Sequence, residues 1–128
     1  MRLLLDTHTL LWFALTDTGL SGTASSLIMD PDNEKLVSPA SYWEIAIKIS
    51  IKKYALSQPY EVFMDKAIDK NGFGYLHIEP KHTAALITLP FHHRDPFDRL
   101  LIAQAITEGI PIVSGDPVLD SYPIKRLW

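Results

Sequence analysis

The sequence predicts an α/β fold, a three-layer α/β/α sandwich around a short, mostly parallel sheet. Three observations predict it. Apolar runs with no internal polarity, such as Leu3-Leu4-Leu5, read as strands buried on both faces. Stretches with helical capping signals separate these runs, so strands alternate with helices. The runs also end in acidic or small polar residues, which would then gather at the carboxyl edge of the sheet, where such folds place ligands.

Arg2 to Leu5 is the first strand, and Thr7 to Leu15 a short helix that Gly19 closes. Ser21 caps a second helix ending near Pro31. Lys35-Leu36-Val37 is a brief second strand. Ser38-Pro39 then supplies an N-cap followed by proline at the first helical position, a strong helix start. This third helix is expected to reach about Lys53, with Ser41, Glu44, Lys48 and Lys52 along one stripe. Pro59 to Lys70 reads as a fourth helix ended by Asn71-Gly72, and Phe73 to Ile78 as a strand. Pro80 starts a helix that stops before Pro90. After the His92-His93-Arg94 loop, Asp95-Pro96 opens a helix through Glu108, with Gly109 beyond its end. Ile110 to Val113 is the last inner strand, and the tail from Tyr122 adds an edge strand. With no repeat, linker or low-complexity segment, residues 1–128 are expected to form a single domain.

Composition narrows the function. Hydrophobic residues make up 47% and charged residues 21%, which excludes a disordered chain. Cysteine is absent, and with it disulfides, thiolate nucleophiles and cysteine-based zinc sites. No apolar stretch approaches the roughly 20 residues of a membrane helix, and Asp6 and His8 interrupt the signal-like start, so a soluble cytoplasmic protein is expected. A net charge of −3 argues against a general polyanion binder. Nucleic-acid contact would need a local patch: Lys48, Lys52 and Lys53, or Arg94 and Arg99, or Lys125 and Arg126.

The chemistry is carried by acids. Asp6 ends the first strand, Glu44 lies about two turns into the third helix, and Asp98 sits in the first turn of the helix after Asp95. Asp116 follows the last inner strand. Each has a local explanation: an Asx turn for Asp6, an i,i+4 pair with Lys48 for Glu44, an Asp-Pro turn for Asp116. Helix capping accounts best for Asp95. Gathered at one sheet edge, however, such carboxylates repel one another unless a cation lies between them. Oxygen donors without sulfur suit Mg²⁺ or Mn²⁺, and so phosphodiester chemistry with metal-activated water. Ser114 is a candidate to hydrogen-bond one of the carboxylates. His8 receives no catalytic role. His92 and His93 lie in a loop close to Asp95 and read first as solvated residues, with contact to RNA or influence on the site as the alternative.

On four motifs the chain resembles the PIN-domain nucleases, and among them the VapC-type toxins of bacterial toxin–antitoxin pairs. The motifs are Leu3-Leu4-Leu5-Asp6-Thr7-His8, Ser38-Pro39-Ala40-Ser41-Tyr42-Trp43-Glu44, the run from Asp95 to Ala105, and Val113-Ser114-Gly115-Asp116. Their order and spacing span nearly the whole chain. The resemblance implies a metal-dependent endoribonuclease toxin whose acids are Asp6, Glu44, Asp98 and Asp116, with Ser114 at a small-hydroxyl position. Asp95 is an additional acid close to the pocket. No acid of the pattern is missing. Implied partners are an RNA substrate, a second copy of the chain and a cognate antitoxin whose tail enters the acidic groove. Trp12, Phe13, Trp43 and Ile47 are left between a partner surface and the core.

Two other readings compete. A haloacid-dehalogenase-like phosphatase would want an aspartate where His8 stands. A non-catalytic module would use the acidic pocket to hold a basic peptide or a cation.

Overall fold

Five parallel strands in the order β3-β2-β1-β4-β5 form the sheet of the computed structural model, which describes residues 1–128. They are β1 (Arg2–Leu5), β2 (Glu34–Val37), β3 (Gly74–Tyr75), β4 (Ile112–Val113) and β5 (Arg126–Leu127). The sheet is wholly parallel, edge strands included. In register, Leu5 lies beside Val37 on one side and Val113 on the other. Successive side chains go to opposite faces. Leu3, Leu5, Val37 and Val113 join Leu10, Ile45 and Phe63 on one face; Leu4, Leu36 and Ile112 join Leu101 and Ile102 on the other. Both faces are covered over Leu3 to Leu5, and this is why that part of the central strand is wholly apolar, while Arg2 lies exposed at its start.

The helices are α1 (Thr7–Ala14), α2 (Gly22–Met29), α3 (Pro39–Ser50), α4 (Tyr60–Met64), α5 (Pro80–Leu86) and α6 (Pro96–Glu108). Their starts follow the capping signals. The hydroxyl of Ser21 accepts from the Ala24 amide at 3.0 Å, and that of Ser38 from the Ala40 amide at 3.2 Å. One Asp95 oxygen accepts from the amides of Phe97 and Asp98. Gly109 ends α6 at φ +64°, the left-handed conformation that glycine adopts without steric cost.

Several elements depart from expectation. The third helix stops at Ser50, short of Lys53, and the last inner strand, read from Ile110, is only Ile112–Val113. The helix read from Pro59 to Lys70 is α4 continued by a π turn over Asp65–Asp69. The wider turn lets Phe63 and Ile68, five residues apart, both be buried. The strand read from Phe73 to Ile78 shrinks to two residues, because its neighbour β2 ends at Val37 and Ser38-Pro39 turns away into α3. Gln104 takes over beyond that point, donating to the Leu76 carbonyl at 3.1 Å.

From β1 the chain builds outward to β2 and β3, then returns to lay β4 on the other side of β1. Strand order therefore reverses between β1 and β4. The crevice outside their carboxyl ends is the place where open parallel sheets bind ligands.

Candidate active site

Asp6 leaves the end of β1 and Asp116 the turn after β4, so these two carboxylates flank the crevice. The β1–β4 junction is tied by the Asp6 amide and the Thr9 hydroxyl, which both donate to the Val113 carbonyl, at 3.2 and 2.9 Å. With Asp98, His8, Trp12 and Gly115 the two acids line a cavity of about 280 Å³. Asp6 is buried and one of its oxygens caps α1, accepting from the Thr9 amide at 2.8 Å. Capping and a place in the cavity wall thus coexist in one side chain.

Glu44 does not line the cavity but lies within electrostatic reach of Asp98. It is 2% exposed. Its Oε2 stands 3.4 Å from the Lys48 ammonium, while its Oε1 is buried with no hydrogen-bond partner. An orphaned carboxylate oxygen in a protein interior is costly, and the cost marks a position awaiting a cation or a proton. Burial alone would lower the Lys48 ammonium, but Glu44, Tyr54 and Asp95 together raise it above its ordinary value. The first half of the polar stripe faces inward: Ser41 and Glu44 are buried, whereas Lys48 is half-buried, Lys52 is exposed beyond the end of α3, and Trp43 is 58% exposed. Trp12, Phe13 and Ile47 are half-buried, so none of the four apolar candidates belongs to the fully buried core.

Asp98 is the most perturbed acid. Burial, then the neighbouring Asp95, Glu44 and Asp6 carboxylates push it up to about 7, against a smaller opposite pull from His93. Asp95 remains a helix cap by geometry and an electrostatic neighbour of Asp98 by charge. Ser114 serves a different bond from the one expected. Its hydroxyl accepts from the Asp116 amide at 3.1 Å, shaping the turn instead of touching a carboxylate.

His93, read from sequence as solvated, belongs to the site. The Asp95 amide donates to its Nδ1 at 3.2 Å, so the proton of the neutral ring resides on Nε2. That Nε2 points at Asp116 Oδ2, 2.9 Å away, and Asp98 Oδ2, 3.4 Å away. The loop is clamped from behind. Arg99 donates to the carbonyls of Leu89, Pro90 and His93, and Tyr122 accepts the His93 amide while donating to Pro90. Arg99 is therefore a buried clamp and not part of a basic patch; its guanidinium stacks on Phe91 at 3.8 Å. Arg126 is likewise engaged, with Asp120 and the Ser114 carbonyl. One signal in the sequence pointed to His93: it lies two residues before a helix-capping aspartate, whose amide is then free to orient its ring.

A second cluster contrasts with the first. Ligand atoms of Glu79, His82 and Glu108 lie within 4.8 Å of one another. Here every group is already satisfied. The Glu79 amide donates to His82 Nδ1 at 3.0 Å, so Nε2 carries the proton and faces Glu108 at 3.2 Å. Lys81 meets Glu108 at 2.9 Å, and Arg2 approaches it at 3.9 Å. Two cations and a buried N–H neutralise this acid, so the cluster works as a tie between the start of α5 and the end of α6.

Comparison with known proteins agrees with this architecture. The family profile described as PIN domain matches residues 3–125. Ribonuclease VapC22 of Mycobacterium tuberculosis is 30% identical over 124 residues, covering 96% of this chain and 93% of that protein. Among solved structures, VapBC2 of Rickettsia felis, bound to a promoter DNA fragment, superposes with a TM-score of 0.72 at 13% identity, over the full length of both chains. VapBC-1 of nontypeable Haemophilus influenzae gives 0.64 at 14% identity, covering 98% of this chain and 96% of that one. The last two likenesses speak for the fold alone.

Proposed function

The chain belongs to the PIN-domain family and is VapC-like within it, and on that premise we propose that it is a divalent-metal-dependent endoribonuclease, the toxin of a toxin–antitoxin pair. The observation that carries this reading is an acid cluster at the topological switch point with more carboxylates than cations, Lys48 being the one ammonium paired within it. Asp6, Asp98 and Asp116 share one cavity, Asp98 is driven to about 7, and Glu44 holds a buried oxygen without a partner. Such a donor set, all oxygen and short of positive charge, fits Mg²⁺ or Mn²⁺. Asp6, Glu44, Asp98 and Asp116 would hold the ion.

When bound, the ion supplies a polarised water and shields the charge developing on a phosphodiester. The chain's own residues supply position. The cap bond to Thr9 fixes one oxygen of Asp6, a residue that lines the cavity. The Val118 amide holds Asp116 Oδ1, and His93 Nε2–H holds its Oδ2. Lys48 tethers Glu44 from the side away from its orphaned oxygen. His93 acts as a positioning residue for Asp116 and Asp98. The same negative cleft suits the basic tail of an antitoxin, and a second copy of the chain completes the assembly usual among VapC toxins. No helix is long and apolar enough to cross a membrane.

The test is RNA cleavage by the purified protein with Mn²⁺, run against EDTA and an Asp6→Asn/Asp98→Asn variant. Cleavage absent from both controls is expected. Cleavage that survives in the variant would assign the activity elsewhere. Manganese should also raise the melting temperature of the wild type and not of the variant.

A further inference from the structure

The acidic cavity does not end at its rim. His8 and Trp12, which line it beside the carboxylates, also line an adjoining hollow of about 360 Å³ together with Lys53 and Tyr54. The shared wall is aromatic. The Trp12 ring lies 5.6 Å from His8 and 5.8 Å from Trp128, and the Tyr54 hydroxyl 3.5 Å from His8 Nε2. Lys48, already bound to Glu44, sits 5.7 Å from the Tyr54 ring. Positive charge and aromatic faces therefore begin directly where the acids stop.

Local backbone builds this arrangement. After α3 the chain reverses through Lys52, a non-glycine residue at φ +62°. The amides of Lys53 and Tyr54 both return to the Lys48 carbonyl, at 2.8 and 3.2 Å. The reversal brings Tyr54 back beside α1. Asp17 is the one carboxylate lining the hollow, and its Oδ1 accepts from the Gly19 amide.

We propose that this hollow is a nucleotide subsite that receives one unpaired nucleotide beside the scissile phosphate, its base stacked on Trp12 and Tyr54 and its phosphate met by Lys53. The inference rests on the ribonuclease reading. A chain of net charge −3 with an acidic reaction centre repels a polyanion, so affinity must be supplied next to that centre. Aromatic faces beside lysines supply it for single strands, whose bases are free to stack. A duplex keeps its bases stacked on one another and cannot enter a hollow of this size.

The experiment uses the Asp98→Asn protein in EDTA, which together keep the RNA whole, and a labelled oligoadenylate of about eight nucleotides, within the usual range of single-strand sites. The same strand annealed to oligouridylate is the duplex probe. Tyr54→Ala, added to that background, should weaken single-strand binding by about 10-fold, a typical loss for one stacked base; Lys53→Ala should weaken it too and flatten its dependence on salt, as the loss of a phosphate contact does. Tyr54→Phe should restore it, Trp43→Ala should leave it unchanged, and the duplex should bind more weakly than the single strand. The Lys53 side chain is exposed and holds no structural bond, and alanine keeps the backbone amide that does, so Lys53→Ala remains informative if Tyr54→Ala unfolds. Unchanged affinity in both alanine variants, as expected if the hollow takes a protein partner instead, overturns the proposal; so does equal binding of the duplex. Cleavage by the wild type with an unchanged KM in Tyr54→Ala and Lys53→Ala would sink this inference alone. Absent cleavage with the binding losses intact would sink the nuclease reading alone.

Discussion

Helix α6 carries an acid in its first turn and another at its last residue, and the two have opposite electrostatics. Asp98 is raised to about 7 by burial and by three neighbouring carboxylates. Glu108 is held below its ordinary value by Lys81 and by the His82 N–H. The helix dipole alone predicts the reverse, favouring an anion at the N-terminus by about 0.3–1 kcal/mol. Raising a carboxyl from 3.8 to about 7 corresponds to at most about 4 kcal/mol. Local surroundings therefore outweigh the dipole. The lesson is one of partners: an acid cluster left short of cations indicates chemistry, and one fully paired indicates architecture.

The largest expected effect tests the unpaired end. Asp98→Asn should lower the rate of RNA cleavage by about 10²–10³-fold. In EDTA the same variant should be the more stable protein at pH 8. The folded-state value of Asp98 lies above its unfolded value, so the ionised carboxyl costs stability above pH 7. That cost fades as the pH falls from 7 toward 4. The gap between variant and wild type, about 1–2 kcal/mol at pH 8, should shrink below pH 7 and close only near pH 4 in urea unfolding. A wild type more stable than the variant at pH 8 would break the comparison.

Next in size is His93→Ala. Removing the ring that holds Asp116 Oδ2 should weaken Mn²⁺ binding by about 10–100-fold, read by calorimetry. An unchanged affinity would mean that the carboxylates hold their geometry without it.

The paired end should respond in stability only. Glu108→Ala leaves the buried Nε2–H of His82 without an acceptor and should cost about 1–3 kcal/mol. Glu108→Gln keeps an acceptor and should cost less than about 1 kcal/mol. Both should cleave RNA and gain thermal stability from Mn²⁺ as the wild type does. Because the Glu108 value is depressed on folding, its contribution is present above the unfolded value of 4.5 and is lost as the pH falls below it. Loss of the manganese effect in Glu108→Ala would show that the second cluster holds metal after all.

His92 and His93 show where sequence reading stops. Side by side in one loop they look alike, and neither carries a local signal as strong as Ser38-Pro39 does. The structure separates them. Arg99 and Tyr122 pin the backbone around His93, so its ring meets the acids, while His92 is exposed and lies edge-on to Tyr122. Arg99 departs from its sequence expectation for the same reason. Its position resembles a surface charge, and only burial among three carbonyls reveals a clamp. The Glu79–His82–Glu108 tie escaped notice because Glu108 is far from the other two in sequence.

What the chain alone determined is the alternation of buried strands and capped helices, and with it the delivery of Asp6 and Asp116 to one sheet edge. Hydrophobic periodicity and capping are local, and a strand buried on both faces announces itself in four residues. The shortness of β3, the π turn after α4, the inward aim of Glu44 and the choice of His93 were decided by tertiary structure. Each depends on where a distant partner ends or turns, and on how little water reaches the group, and neither quantity is written in neighbouring residues.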